Sequence, residues 1–445
     1  MFSAFKKFGK LGALASSVAR AWSPLALWPD GIDTPGMWIS PRDLTSQWAD
    51  YTGTTPVATP GTVADSSNPV GLALDIRAGA TALANPGNHM LQSTSAARPL
   101  LSARVNLLSK TELPGGLTDW GTVGGAVTAA TLTGWRNGIT TGAAFAPNAG
   151  FAYLFCDSSI YAVTAGVQYV FSCDVRMDDG GAPVFSTTRV LNDFDIFIAA
   201  DAVPVANRSI THLGDGIYRV SGQMVAGAGT AGNNGIFVDS VVSATGRGFK
   251  VTAFQLERGI TALPYQPILT DGSTYPSAGF PIAQLYDGVD DSMATAAFAA
   301  GTLIDGMDCL IAVRRDSAAA CVAGLYNGIA DATKFFGMAE SASGSGCVGS
   351  GAGTPTVWVD NAQLTGGTAV TRGTLHTALT VGDYHILEFR GLDLSTWTAA
   401  GFGLYTSYVF PGARGDILLY PSTASTEDKD AARQYLADYY GVTLP

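Results

Sequence analysis

The sequence predicts an all-β protein of two antiparallel β-sandwiches, with a short N-terminal helix and one C-terminal helix, on three observations. Glycine supplies 54 of the 445 residues and only 14% are charged, which disfavours long solvent-facing helices that depend on Glu and Lys. Short apolar or alternating runs recur between Gly, Asp, Asn and Thr: 168–175 (QYVFSCDV), 216–221 (GIYRVS), 249–256 (FKVTAFQL), 309–313 (CLIAV), 384–389 (YHILEF) and 415–420 (GDILLY). Almost no helical periodicity lies between them, as expected of sandwiches. At 47% apolar content the chain can bury the cores of two or three domains.

In chain order, residues 2–22 come first and differ from all that follows. They carry Lys6, Lys7, Lys10 and Arg20 without an acid, and Phe2, Phe5, Phe8, Leu11 and Leu14 recur at every third position as one apolar helical stripe. A secretory signal needs an unbroken apolar stretch, which Gly9, Lys10, Gly12, Ser16 and Ser17 interrupt. Two readings stay open. A basic amphipathic helix can lie on an anionic bilayer, or the segment can dock on a partner protein. The second is preferred, because such a segment frays when isolated. Its anchor residues would be Phe2, Phe5, Lys6, Lys7, Phe8, Lys10 and Leu11. Pro24, Pro29, Pro35, Gly31 and Gly36 follow as a linker, so 1–36 is one anchor-and-linker unit.

Residues 425–440 (STEDKDAARQYLADYY) are the clear helix of the body. Ser425 and Asp428 stand at capping-box spacing, with Glu427 in the same acidic first turn. Ala432, Leu436 and Tyr439 share a face beside Tyr435, and Gly441 supplies the stop. That face is expected to pack on the last sheet. Cys156, Cys173, Cys309, Cys321 and Cys347 make no Cys-x-x-Cys and no cluster with His89, His212, His376 or His385. Buried free thiols are expected, with a Cys156–Cys173 bridge open if their strands are neighbours. A net charge of −11 repels a phosphate backbone, so nucleic acid is not an expected partner.

Several stretches resemble known families. Residues 37–50 (MWISPRDLTSQWAD), 51–56 (YTGTTP) and 68–72 (NPVGL) resemble a segment of phage and prophage structural proteins, Trp-x-Asp-Pro-x-Asp-Leu, Asp-x-x-Gly-Thr-Thr-Pro and Pro-Val-Gly, with Ser40 in place of the first Asp. Gly87-Asn88, Gln92, Thr94 and Arg98-Pro99 are similar to a further run of the same proteins. Residues 285–292 (LYDGVDDS) resemble the Phe-Asp-Gly-x-x-Asp segment of concanavalin-A/laminin-G-like lectin domains, whose closing helix often ends in a Tyr-Gly pair like Tyr440-Gly441. Between them, 105–267 opens with Val105-Asn106-Leu107-Leu108, contains 166–171 (GVQYVF), and closes with 253–257 (AFQLE), Gly259 and Pro264-Tyr265-Gln266-Pro267. This resembles the carbohydrate-binding-module jelly roll of phage fibre and spike proteins.

The resemblances imply a jelly roll plus a concanavalin-A-like sandwich. Because Arg98-Pro99 and Asp287-Gly288 normally sit together in such lectin domains, 37–105 and 268–445 are expected to form one lectin-like sandwich with 106–267 inserted. They also imply a virion spike, fibre or decoration protein of a phage or gene transfer agent, assembled in the bacterial cytoplasm and serving host attachment. Its expected partners are capsid, portal or tail proteins and bacterial surface polysaccharide, and a homo-oligomer is expected. A purely architectural decoration protein and a polysaccharide depolymerase are the alternatives.

Catalysis is not expected. Concanavalin-A-like glycosidases need paired glutamates at alternate strand positions, and Glu112, Glu257, Glu340, Glu388 and Glu427 are scattered. Asp193 and Asp195 alternate but read as solubilising residues of an edge strand. Glycan binding would use rings that stack on sugars and polar groups that bond hydroxyls. The candidates are Trp120, Trp135, Tyr153 and Tyr161 in the first unit and Trp358, Trp397 and Tyr405 in the second, with Asp360 and Asn361 as polar companions. Each ring has a core reading beside the binding one. Arg414-Gly415-Asp416 spells an integrin tripeptide, read as chance. No cofactor is expected, unless Asp287, Asp290 and Asp291 hold calcium rather than only shaping a turn.

Overall fold

The computed structural model describes residues 22–57, 69–77, 87–103, 106–118, 120–123, 127–146, 152–156, 168–185, 195–199, 206–225, 235–240, 247–259, 262–268, 280–298, 301–328, 331–364 and 370–445. The anticipated N-terminal helix and its anchor residues lie outside them. The fold is all-β and antiparallel, and each of the six runs read from the sequence falls within a strand or overlaps its end.

One eight-stranded sheet runs in the order Ala362–Gln363, Thr356–Val359, Tyr384–Asp393, Asp305–Arg315, Pro411–Pro421, Ala283–Asp287 and Leu100–Ser102, with Met37–Ile39 also paired to Pro411–Pro421. A five-stranded sheet of Gln47–Trp48, Leu72–Ala73, Met90–Leu91, Met293–Thr295 and Gly401–Phe402 belongs to the same part of the chain. Cys309, Ile311, Val313, Ile417 and Leu419 alternate into the core shared with Phe402 and Phe410. The intervening Leu310, Ala312, Leu418 and Tyr420 face the C-terminal helix. The central strands are thus buried on both faces, so their sequences run apolar instead of alternating.

The C-terminal helix spans Thr426–Tyr440, with Ser425 Oγ accepting the Asp428 N–H and Gly441 in the left-handed conformation at its end. Ala432, Leu436, Ala437 and Tyr440 are buried on the sheet, while Tyr439 is only partly buried. A second, short helix at Arg372–Ala378 was not anticipated; Thr371 caps it.

A six-stranded sheet runs in the order Ala206–Gly214, Ile217–Val225, Gln168–Met177, Phe249–Arg258, Thr141–Phe145 and Val127–Thr131. A four-stranded sheet of Asp195–Ala199, Gly235–Ser240, Ala152–Cys156 and Gly121–Val123 accompanies it. Tyr169, Phe171, Cys173 and Val175 point into a core that also takes Leu154. Among the described residues, the strands of these two sheets pair only with one another, whereas strands between 37 and 102 pair with strands between 283 and 421. Cys173, Cys309, Cys321 and Cys347 are buried free thiols, so no Cys156–Cys173 bridge forms.

The motif residues of 37–99 act as ties. Asp50 takes the N–H groups of Thr52, Thr54 and Thr55, closing the 50–56 turn. These bonds hold its carboxyl well below the usual range even against the opposing effect of desolvation. Arg98 donates to the carbonyls of Ala49, Gln92 and Ser93.

Candidate functional site

The outer face of the six-stranded sheet is polar. Where Tyr169, Phe171, Cys173 and Val175 point inward, the strand's period of two turns Val170, Ser172, Asp174 and Arg176 outward. Register places Ser172 between Ser221 and Gln255, and Asp174 beside Arg219. Ser209 stands opposite Ser221 with the hydroxyls 2.7 Å apart. Ser209 and Ser221, with Arg136 and the stretch 262–265, frame a groove of about 490 Å³ that is also lined by Asn207, Thr211 and Arg219.

Buried pairs fix its floor. Asp174 is fully buried and accepts from Arg219 Nη1 (2.9 Å), Arg136 Nε (2.7 Å) and Arg136 Nη2 (3.2 Å). Arg219 also donates to the Ala253 carbonyl and Ser172 Oγ. The Tyr265 hydroxyl lies 2.6 Å from Thr111 Oγ1 and donates to Glu112 Oε1 at 3.2 Å, and burial pushes Glu112 up.

Gln255 and Glu257 explain the Gln-Leu-Glu…Pro-Tyr-x-Pro signature. Gln255 Oε1 accepts the Gln266 N–H (2.7 Å), and Glu257 Oε1 accepts Gln255 Nε2 (2.9 Å) and the Leu263 N–H (3.0 Å). The two side chains thereby hold the 262–268 segment as a groove wall. Glu257 Oε2 is buried without a partner, and desolvation pushes the carboxyl up to about 7. The sequence reading singled out this motif as a closing strand and missed its wall-holding role, because that role depends on a segment folding back over its own strand.

Most of the anticipated rings are core residues. Trp120 packs 4.3 Å from Phe254, and Trp135 lies under the Arg176 guanidinium at 5.0 Å. Trp397 donates to the Gly351 carbonyl beside Phe336, and Tyr405 donates to the Asp331 carbonyl between Tyr326 and Phe335. None of the four is more than 7% exposed, so none presents the open ring face that stacking on a sugar needs. This corrects the binding reading for all four. Trp358 is half-buried, with the Arg390 guanidinium 4.0 Å above its ring. The Tyr153 side chain, Tyr161 and Asp193 lie outside the described residues.

Asp360 and Asn361 have φ of 50° and 65° and form the two-residue turn between Thr356–Val359 and Ala362–Gln363. The Asp360 carboxylate accepts the Ile386 N–H (2.8 Å) and bonds His385 Nδ1 (2.7 Å), and His385 Nε2 lies 2.9 Å from Thr380 Oγ1. The order Asp–His–Thr is that of a nucleophile triad. However, the Thr380 hydroxyl donates to Asp383 (2.9 Å), and the nearby Gly382 N–H is committed to the Arg315 carbonyl. The chain of bonds is a tie between hairpin and loop.

The ligand atoms of Asp287, Asp290 and Asp291 lie within 4.8 Å of one another. Asp287 Oδ1 accepts the Val289 and Asp290 N–H groups, and Asp291 Oδ2 accepts the Asp287 N–H at 2.8 Å. Desolvation, aided by the two neighbouring carboxylates, pushes Asp291 up to about 7. The three are hard oxygen donors of the type calcium takes, and a full shell would need carbonyls or water as well.

No family model matches the chain, and no curated protein matches it. Among the solved structures that show a likeness are two of carbohydrate-binding modules. One is the N-terminal endo-1,4-beta-D-xylanase 10B of Clostridium thermocellum, CBM22-1-GH10 modules complexed with xylohexaose, at 13% identity and a TM-score of 0.23 over 34% of this chain and 28% of that one. The other is the N-terminal CBM22-1-CBM22-2 tandem domain of Paenibacillus barcinonensis Xyn10C, at 13% identity and a TM-score of 0.26 over 74% of this chain and 100% of that one. At these scores neither likeness supports an inference about this chain.

Proposed function

We propose that this chain is a virion spike, fibre or decoration protein that binds bacterial surface polysaccharide through the groove of the six-stranded sheet, without catalysis. The observation that carries the binding reading is the set of hydroxyl, amide and guanidinium groups in the groove, held in place by the buried Asp174 pairs. Sugar hydroxyls are recognised by donors and acceptors fixed in advance, so ordering costs little on binding.

The virion part rests on the resemblance of 37–99 to phage structural proteins. On this reading 1–36 anchors the particle, and Trp22 marks where the segment meets the body: its Nε1 donates to Asp428 (3.0 Å) and its ring meets Tyr435 edge-on at 5.8 Å. Segments 37–105 and 268–445 then act as one lectin-like sandwich carrying the 106–267 unit, a division supported by the strand pairings. Calcium at Asp287, Asp290 and Asp291 would brace the loop of that sandwich. Its test is a calcium-dependent rise in Tm that Asp291→Asn abolishes; a rise unchanged in the variant places the ion elsewhere.

The intact protein on a glycan array and on isolated capsule should be retained by at least one host polysaccharide. Ser209→Trp, which fills the groove from an exposed position, should abolish retention. No retention of the intact chain on any polysaccharide leaves the architectural role instead. Deleting 1–22 should leave a folded protein that no longer joins particles; continued incorporation would refute the anchor.

A further inference from the structure

We infer that the groove selects anionic glycans, whose repeating unit carries a carboxylate as a uronic acid does; this rests on the groove being the glycan site. The first observation is a charge imbalance. Strand alternation and the overlying 132–140 segment bring Arg136, Arg176 and Arg219 to one end of the face, where Asp174 is the one carboxylate bonded to Arg136 and Arg219. Lys250 at the margin is already matched by Asp178. Glu112 and Glu257 stand nearby, and each is already engaged within the wall, Glu112 by the Tyr265 hydroxyl and Glu257 by Gln255 and the Leu263 N–H.

The second observation is unspent bonding capacity. Asp174 occupies Nε and Nη2 of Arg136, and the Arg136 side chain remains 31% exposed at the groove with Nη1 unbonded among the described residues. Arg219 is spent on Asp174, Ser172 and Ala253. Arg136 is therefore a pre-oriented guanidinium with a free edge, the group suited to a ligand carboxylate. The third observation is that the ring lining the groove among the described residues, Tyr265, is only 7% exposed, as is Trp135 beside Arg136. Among the described residues a neutral glycan meets no open aromatic platform here, so polar and charged contacts carry affinity. The chain's net charge of −11 disfavours a polyanion over most of the protein, so an arginine-lined groove would set where one docks.

The test uses the full chain and two polymers with one backbone: polygalacturonate and its fully methyl-esterified form, alongside a panel of neutral glycans. De-esterified polymer should bind at least tenfold more tightly, weaken as salt rises, and lose about tenfold in affinity with Arg136→Gln. The ligand-side comparison leaves the protein untouched, so it stands even if the variant misfolds. Equal binding of both polymers, or binding to neutral glycans alone, overturns the charge selection and leaves the glycan site standing. Binding to nothing in the panel overturns the glycan site, and the selection with it.

Discussion

Glu257 sits wholly buried beneath the 262–268 segment, with one carboxylate oxygen serving two donors and the other serving none. A charged carboxylate there lacks the solvation it would have in water, so the folded state favours the protonated form and its pKa rises from 4.5 to about 7. The sign of the linkage follows. The folded chain binds more protons than the unfolded one between these values, so stability from this group is fully present below the unfolded value. It is lost as pH rises through about 7, by up to roughly 3 kcal/mol. Asp291 acts in the same direction between 3.8 and about 7. Glu257→Gln keeps an acceptor for Gln255 and Leu263 and removes the charge. It should raise Tm at pH 8 and change little at pH 5, as read by calorimetry across pH 5–8; a parallel shift at both values would sink the assignment. At the same scale, Arg414 and Asp416 are fully buried, and a Cβ on Gly415 would lie 2.2 Å from the Tyr440 ring. The Arg-Gly-Asp tripeptide is an interior packing device.

At the scale of elements, what could be read in advance divides along local and non-local physics. The Thr426–Tyr440 helix was legible because cap, acidic first turn, apolar face and glycine stop are all local signals. Strands such as Gln168–Met177 and Pro411–Pro421 were legible as short apolar runs between turn residues. The groove was not, because its polarity comes from register: Ser209 meets Ser221, and Thr211 meets the Arg219 that Asp174 holds, only when three strands pair. The aromatic candidates failed for the related reason that a lone Trp in a sequence does not say which side of its strand is covered. The Asp360-Asn361 turn shows both sides of this. Its residues are typical of a two-residue hairpin with positive φ at both positions, yet the sequence reading gave them to a ligand. The Asp360 carboxylate instead ties the hairpin to the Tyr384–Asp393 strand through Ile386 and His385. Asp360→Ala leaves a backbone N–H and an imidazole N–H unpaired and should cost about 1–3 kcal/mol in urea unfolding. It should leave glycan retention unchanged; loss of retention with stability intact would return Asp360 to the binding site.

At the scale of the molecule, the described residues on either side of the two crossings between the sets of sheets lie next to one another. Gln266 Nε2 donates to the Ala103 carbonyl (2.9 Å), Gln266 Oε1 accepts the Asn106 N–H (3.1 Å), and Asn106 Nδ2 donates to the Gln266 carbonyl (3.0 Å). The outgoing and returning segments are thus clamped side by side by two buried amides, which is the geometry an inserted unit requires. Each side also has its own buried apolar cluster. Beyond the clamp, Gly259 faces Gly382 closely enough that a Cβ would stand 3.0 Å from it, and a cavity of about 90 Å³ opens between Leu107, Arg258 and Arg314. A cavity at the seam shows that the two sides do not share one close-packed core, so neither side should depend on the other for its core. Replacing 106–267 with a short Gly-Ser linker should leave a protein that melts cooperatively with strand-rich circular dichroism and retains the Tyr440 and Trp38 packing on the Asp416 side of the sheet. The excised 106–267 segment, expressed alone, should fold and keep the groove's glycan retention. If the shortened chain aggregates while the excised unit also fails to fold, the two sets of sheets form one cooperative body and the insertion is refuted.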